Sequence, residues 1–324
     1  MKKEKKLLLT ELLFDLDESL DNYYMYLKKN HKTIHDCYNV FTVLKKNGKE
    51  RLIVAPNDEL KDIQNQIKEL FEILLEEYDA SNKACKVSGE KVLFKPKDYS
   101  FAYETNKSIK DNALMHADGK YFLKLDLRKF FQSISKTTLN VFLYTVVYKY
   151  VPTLRYKSLF KSMIESITNI CIYKDGLATG SPASPVISNF IMRNLDYQII
   201  AYLKRREIED NCKYNYSRYA DDIVISSDKY IPKEIKKKVK SILFQKNLKI
   251  NQEKTKYQTN KQKNVVTGLI ITPEGKVTVG QKRKKKIKKM MYTYNKDKRI
   301  YSFEEINGQL AFIKEIEMAI NNNM

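Results

Sequence analysis

The chain has 324 residues, with 60 Lys and Arg against 39 Asp and Glu, for a formal charge of +21. That length supports one large domain or two to three subdomains with a real core, and 43% hydrophobic residues exclude a disordered chain. No apolar run approaches the roughly 18 residues of a membrane span, so the excess of base points to a polyanionic partner, nucleic acid before anionic membrane.

The opening "MKKEKKLLLTELLF" has a short apolar run broken by Glu11, which predicts an amphipathic helix and not a signal peptide. Cys37, Cys85, Cys171 and Cys212 show no paired spacing, as expected of reduced thiols in a cytoplasmic protein. His31 and His35, with Cys37 nearby, read as a surface pair at a helix end and not as a metal site, because no second ligand cluster is visible. "FTVLKKNGKERLIVAP" predicts a β-hairpin turning at Asn47 and Gly48, with Lys45, Lys46, Lys49 and Arg51 crowding its tip. The next segment, "NDELKDIQNQIKELFEILLEEYDA", predicts a long helix that buries Ile63, Ile67, Leu70 and Leu74.

"KYFLKLDLRKFF" alternates as a half-buried strand, and Asp126 falls with Phe122 and Lys124 on its more polar face. "GLATGSPASPVISNFIMRNLDYQIIAYLKRR" begins as a Gly/Pro/Ser turn and continues as a helix, with Ser184 as N-cap and Pro185 in the first turn. Its buried stripe is Ile187, Phe190, Ile191, Leu195, Ile199 and Leu203. "SRYADDIVISS" predicts strand, tight turn and strand. "IKKKVKSILFQKNLKIN" is a basic amphipathic helix, "NVVTGLIITPEGKVTVG" a hairpin, and the end is helical and strongly basic. Strands and helices without regular βαβ alternation indicate an α+β fold.

Asp126 on one strand and Asp221 and Asp222 on another form a candidate metal set. Adjacent strand residues point to opposite faces, so two neighbouring aspartates can serve one site only at a turn. Mg²⁺ suits oxygen ligands and substrate phosphates, and two such ions can activate a 3′-hydroxyl and stabilise a departing pyrophosphate.

In this order, the motifs resemble those of reverse transcriptases. "YADD" followed by "IVIS" is similar to their catalytic turn, "LKLDLRKFF" to the first palm motif, and "GLATGSPASPVISN" to the motif joining fingers to palm. "KKNGKERLIVAP", "NQEKTKY" and "VTGLII" occupy the expected places around them. "NALMH", from Asn112 to His116, and "VTG", from Val266 through Thr267 to Gly268, resemble the two hallmarks of bacterial retron reverse transcriptases.

The resemblance implies a right-hand polymerase. Fingers would span 1–102 and 134–183, the palm 103–133 and 184–274, and a small helical thumb 275–324. It implies RNA-templated DNA synthesis with two Mg²⁺ held by Asp126, Asp221 and Asp222, with Asp222 less central than the other two. Lys45 and Arg51 would meet the triphosphate of the incoming dNTP, Lys254 would lie near that nucleotide, and Phe131 would be the steric gate against a ribose 2′-OH. Thr179 stands where many relatives carry the glutamine that contacts the nucleotide, and a shorter hydroxyl side chain cannot make that contact. Tyr219 and Ala220 would lie beneath the primer end. The two retron hallmarks, with Lys282, Arg283, Lys284, Lys285 and Lys286, would meet RNA.

The implied template is a structured non-coding RNA of the same locus, primed from an internal guanosine 2′-OH to give a branched RNA–DNA hybrid, msDNA. The resemblance also implies phage defence with an effector protein. The 56 residues after Gly268 are too few for an RNase H domain, so host RNase H is the expected remover of template. Two other readings stay open: a bacterial defence reverse transcriptase without a retron transcript, and a catalytically silent RNA-binding subunit.

Overall fold

A computed structural model gives the fold and describes residues 3–44, 48, 50–81, 85–87, 90–92, 95–151 and 153–318. The chain divides into two compact units. The first comprises Met1–Asp98, Leu127–Ala201 and Lys238–Ile250; the second comprises Tyr99–Asp126, Tyr202–Lys237 and Asn251–Met324.

The first unit is mainly helical. Helix α1 (Lys3–Lys29) is the amphipathic helix expected, burying Leu9, Leu13, Leu16 and Leu20 at helical spacing. The hairpin β1 (Tyr38–Leu44) and β2 (Glu50–Pro56) pairs antiparallel from Tyr38↔Pro56 to Leu44↔Glu50. Helix α2 (Asp58–Ser81) follows and buries Ile63, Ile67, Leu70 and Leu74 as predicted, and a short pair, β3 (Cys85–Val87) and β4 (Glu90–Val92), comes after it.

Next in the chain come α3 (Ile109–Leu114) and β5 (Tyr121–Asp126), both in the second unit. The first unit resumes with α4 (Lys136–Thr145), α5 (Leu154–Cys171) and the two-residue strands β6 (Ile172–Tyr173) and β7 (Gly176–Leu177). Helices α1, α2 and α5 pack on one another and enclose Phe160, Ile164 and Ile167.

Helix α6 (Ala183–Asp210) carries the predicted buried stripe, but its start differs from expectation. The helix already includes Ala183, and Ser181 Oγ accepts from the Ala183 N–H at 3.2 Å. Ser184 is therefore not the N-cap. Its hydroxyl donates to the Ala178 carbonyl at 2.7 Å and ties the preceding loop to the helix. Part of the polar face of α6 is buried as well: Arg193 is fully enclosed, and its Nε lies 3.1 Å from Asp79 Oδ1.

The second unit contains the main sheet. Strands β8 (Tyr214–Tyr219) and β9 (Asp222–Ser227) are followed by α7 (Lys233–Phe244), whose residues from Lys238 on belong to the first unit, and by β10 (Lys256–Thr259). The sheet order is β10-β5-β9-β8, antiparallel throughout. A second sheet is built from β11 (Asn264–Val266), β12 (Leu269–Ile271) and β13 (Val277–Thr278). This is a three-stranded meander where a hairpin was expected, because the turn through Gly275, at φ +81°, returns the chain to pair Val277 with Ile271. Helices α8 (Gln281–Lys296) and α9 (Phe303–Met318) close the unit.

Strand β5 is less exposed than its alternation suggests. Phe122, on the face that carries Asp126, is 1% exposed within a core of Ala113, Val224, Val266, Leu269, Ile271 and Ile316. The meander and α9 supply that cover, and neither can be read from the strand itself. Among the described residues, no helix is long and apolar enough to cross a membrane.

Candidate active site

The β8–β9 hairpin turns at Ala220 and Asp221, and its last pair is Tyr219↔Asp222. Ala220 has φ +55°, a left-handed conformation that costs a non-glycine residue free energy and that the surroundings must hold. Arg218 helps to hold it: this fully buried side chain donates from Nη1 to the Ala220 carbonyl at 3.3 Å and from Nη2 to Ser100 Oγ at 3.1 Å. The turn breaks the strand alternation, as two adjacent aspartates serving one site require.

Across the sheet, Asp126 of β5 stands directly opposite Asp222 of β9. Asp126, Asp222 and Tyr219 thus form one row on one face, and Asp221 occupies the turn at the row's edge. The row shares its negative charge: the Asp222 carboxyl is pushed up to about 6, first by burial, then by the charges of Asp221 and Asp126.

Both oxygens of Asp126 accept hydrogen bonds. Lys254 Nζ lies 2.7 Å from Oδ2, and Asn251 Nδ2 lies 3.3 Å from Oδ1. The Asn251 N–H also donates to the Asp126 carbonyl at 2.8 Å, which docks the "NQEKTKY" segment on the end of β5. The bond to Asp126 raises the pKa of the Lys254 ammonium, which stays charged.

A cavity of about 460 Å³ adjoins this row and is lined by Asp126, Asp222, Lys124, Lys254, Asn112 and Thr267, among others. Lys124 Nζ donates to Asn264 Oδ1 and to the Val265 carbonyl, each at 3.2 Å, and burial lowers its pKa to about 8, with Lys256 adding to the shift. With Asp126 turned onto Lys254, no group of three or more His, Cys, Asp or Glu side chains is arranged to hold a metal ion among the described residues. The donor set nevertheless fits a hard cation. Oxygen ligands stand side by side at like charge, and a side-chain ammonium already balances one of them.

The reverse transcriptase (RNA-dependent DNA polymerase) family matches residues 43–288. The Escherichia coli Retron Ec86 reverse transcriptase is 31% identical over 288 residues, which cover 86% of this chain and 77% of the relative. The chain belongs to the retron reverse transcriptases.

A second relative, the Escherichia coli Retron Ec83 reverse transcriptase, is 28% identical over 313 residues, 90% of this chain and 86% of its own. In fold, this retron reverse transcriptase resembles the telomerase of Candida albicans solved with a TWJ fragment of telomeric RNA. The TM-score is 0.54 at 10% identity, over 76% of this chain and 45% of that one. Apo telomerase from Candida tropicalis gives 0.51 at 14% identity, over 74% and 46%. The chain thus spans less than half of each telomerase chain, and the likeness is one of fold. The protein is an RNA-directed DNA polymerase of mixed α+β architecture.

The residues expected to meet the nucleotide divide between the units. Lys254 belongs to the second, beside Asp126; Arg51, Phe131 and Thr179 belong to the first. Lys45 and most of the predicted hairpin turn lie outside the described residues. Arg51 is exposed on β2, paired with Val43. Thr179 Oγ1 accepts from the Val54 N–H at 3.0 Å and lies 3.4 Å from the Leu52 carbonyl, while the Gly180 N–H donates to the Val54 carbonyl at 2.8 Å. The Thr179 hydroxyl is therefore engaged with the backbone of β2. Phe130 is 4% exposed in the core, and the half-buried Phe131 ring lies 5.3 Å from it.

Several residues expected to contact RNA do not offer a surface for it. Asn112, His116 and Val266 are each at most 1% exposed: Val266 lies in the core with Ala113 of α3, and His116 lies between Ser217 of β8 and Ser226 of β9. Thr267 and Gly268 form the β11–β12 turn, with φ +46° and +84°, and only Gly268 is well exposed. In α8, Lys282, Lys285 and Lys286 face solvent. Arg283 instead stacks on Phe312 at 4.2 Å and donates to Gln309, and Lys284 pairs with Glu317 at 2.7 Å. Those two residues fasten α9.

Arg218 and Asn251 join the site without having been expected there. An arginine two residues before the turn, in "YNYSRY", was the available signal for Arg218. Asn251 opens the "NQEKTKY" segment, and that placement was its signal.

Proposed function

We propose that this retron reverse transcriptase copies a structured non-coding RNA of its own locus, starting from an internal 2′-hydroxyl and ending in branched msDNA. The observation that carries the catalytic part is the Asp126–Asp222 row with Asp221 in the adjoining turn. Asp126, Asp221 and Asp222 would hold two Mg²⁺. When bound, Mg²⁺ supplies charge neutralisation on the triphosphate and activation of the attacking hydroxyl. In this reading Lys254 turns from Asp126 toward the incoming nucleotide, and Arg51 and Lys45 grip its triphosphate as fork donor and point charge. Phe131 crowds a ribose 2′-hydroxyl. Thr179, held by β2, orients the fingers hairpin in place of a nucleotide-reading glutamine. In this reading the fingers would span 1–102 and 134–183, the palm 103–133 and 184–274, and the thumb 275–324.

The "NALMH" and "VTG" elements support the retron assignment of template and primer. The exposed lysines of α8 would follow RNA phosphates. An effector protein acting in phage defence, removal of template by host RNase H and a cytoplasmic site of action complete the proposal.

One experiment tests it. The protein is purified from cells carrying its flanking locus, and the bound nucleic acid is sequenced. A branched RNA–DNA hybrid that vanishes in Asp221→Asn is expected. Linear DNA would favour a defence reverse transcriptase without a retron transcript, and RNA alone, unchanged in Asp221→Asn, would favour a binding subunit.

A further inference from the structure

His116 is fully buried, and both ring nitrogens are engaged: Nδ1 lies 2.8 Å from Ser226 Oγ, and Nε2 lies 2.7 Å from Ser217 Oγ. Both serines are fully buried too. Ser217 is on β8 and Ser226 on β9, the two strands of the catalytic hairpin. Their register makes the arrangement specific. Ser217 faces Val224, and Ser226 faces Asn215, so the two serines are diagonal neighbours on one face. By strand alternation that face is the one bearing Asp222 and Asp126. Diagonal Cα atoms lie ~7–8 Å apart, a span that one imidazole with a hydrogen bond at each end can bridge.

We propose that His116 is a positioning residue for the catalytic carboxylates, pinning β8 to β9 beneath the Asp126–Asp222 row so that the hairpin keeps one stagger. The proposal rests on the polymerase reading of that row. A one-residue slip of either strand would turn its serine to the opposite face and leave a buried ring nitrogen unpaired. A neutral imidazole has one donor and one acceptor on opposite sides of a rigid ring, so one serine donates and the other accepts.

The surroundings are built for this contact. The His116 N–H donates to the Ala113 carbonyl, and the Gly119 N–H donates to the His116 carbonyl, which folds the segment after α3 back on itself. A Cβ at Gly119 would lie 2.7 Å from Ser226 Cβ and 3.1 Å from the His116 carbonyl oxygen, so glycine alone lets the segment approach β9 this closely. The same segment holds the 266–268 turn. Thr267 Oγ1 donates to the Ile109 carbonyl at 3.0 Å and lies 3.4 Å from Asn112 Nδ2. Residues 109–116 thus brace the catalytic hairpin on one side and the 266–268 turn on the other. This gives the buried "NALMH" element a role that does not require contact with RNA.

The test separates positioning from simple core filling. His116→Leu leaves two buried serines without their partner and should lower both stability and activity. The triple variant His116→Leu/Ser217→Ala/Ser226→Ala has no unpaired polar group left at the site, so its melting temperature should recover most of the loss. Its kcat should nevertheless stay about tenfold below wild type with KM for dNTP unchanged, because nothing pins the stagger. A triple variant with wild-type kcat would overturn the proposal. Ser226→Ala, a milder change, gives an independent reading: kcat should fall about threefold or more at constant KM, and an unchanged kcat would also overturn it. Wild-type synthesis on a primed RNA template is the control that distinguishes failure of this proposal from failure of the polymerase reading.

Discussion

Lys254 is bonded to Asp126, its ammonium nitrogen 2.7 Å from Oδ2, on the carboxylate that stands directly opposite Asp222. The bond places a side-chain cation where the proposed reaction needs metal ions. Lys254→Met should therefore act in two opposite ways. It should lower kcat by about a hundredfold, through loss of a positive charge beside the nucleotide. It should also reduce the Mg²⁺ concentration needed for half-maximal rate, because no ammonium competes for Asp126. Steady-state kinetics across a Mg²⁺ titration reads both effects.

The raised carboxyl of Asp222 makes the metal-free protein sensitive to pH. Its folded-state pKa of about 6 exceeds the ordinary 3.8, so the folded state holds a proton that the unfolded state has lost between those values. Asp222 thus favours the fold most below pH 3.8, and that contribution is lost as pH rises through 6. In EDTA, Asp222→Asn should melt at nearly the wild-type temperature at pH 4 and above it at pH 7. Mg²⁺ at pH 7 should narrow the gap by stabilising wild type more than the variant, which has lost one of three proposed ligands. Thermal melts at the two pH values check the sign.

The basic helix α8 should divide into residues that bind RNA and residues that hold the fold. Removing Lys285 or Lys286, both exposed, should weaken RNA binding and lower the slope of log K against log salt by about one each. Lys284→Ala should leave that slope nearly unchanged, since its ammonium is bonded to Glu317 at 2.7 Å, and should cost at most about 1 kcal/mol of stability. Filter binding over a salt series distinguishes the two classes.

That division marks the limit of what local pattern conveys. The helix and its charge were legible in "QKRKKKIKKMM", but which charges face solvent depends on α9, whose docking no window of α8 reveals. The same holds at the site. "YADD" announced a turn because two adjacent carboxylates before a β-branched run make sense only there, and the alternation of "KYFLKLDL" placed Asp126 on a strand. The Lys254–Asp126 bond spans 128 residues, and the His116 bonds span 110 and 101, so they exist only once the sheet order is set. Motif resemblance assigned Asn112 and His116 to RNA; burial assigns them to the interior.

Breaking the Arg193–Asp79 pair should destabilise the first unit. Arg193 is fully buried with its Nε at 3.1 Å from Asp79 Oδ1, and Asp79 is nearly enclosed. Arg193→Met would leave that carboxylate buried beside an apolar chain, which costs about 3–5 kcal/mol. Asp79→Asn added to Arg193→Met should recover part of the loss, because a neutral amide is cheaper to bury than a charge. Urea denaturation of the single and double variants measures the recovery; none would mean that Arg193 acts chiefly through contacts other than Asp79.

Phe130 and Phe131 are adjacent and of one type, yet should respond to substitution in different ways. Phe130 is 4% exposed and Phe131 is half-buried, with their ring centroids 5.3 Å apart. Phe130→Ala empties a core position and should cost about 3–5 kcal/mol, while leaving the dNTP-to-rNTP preference of the surviving folded protein unchanged. Phe131→Val retains an apolar side chain at a partly open position, so its stability cost should be about 1 kcal/mol. If its ring is what crowds the ribose 2′-hydroxyl, Phe131→Val should raise rNTP incorporation by at least about tenfold, since the discrimination is steric and the smaller side chain removes it. Incorporation ratios measured at matched folded concentration decide the matter. Equal ratios for wild type and Phe131→Val would show that the ring excludes nothing and that the gate lies elsewhere.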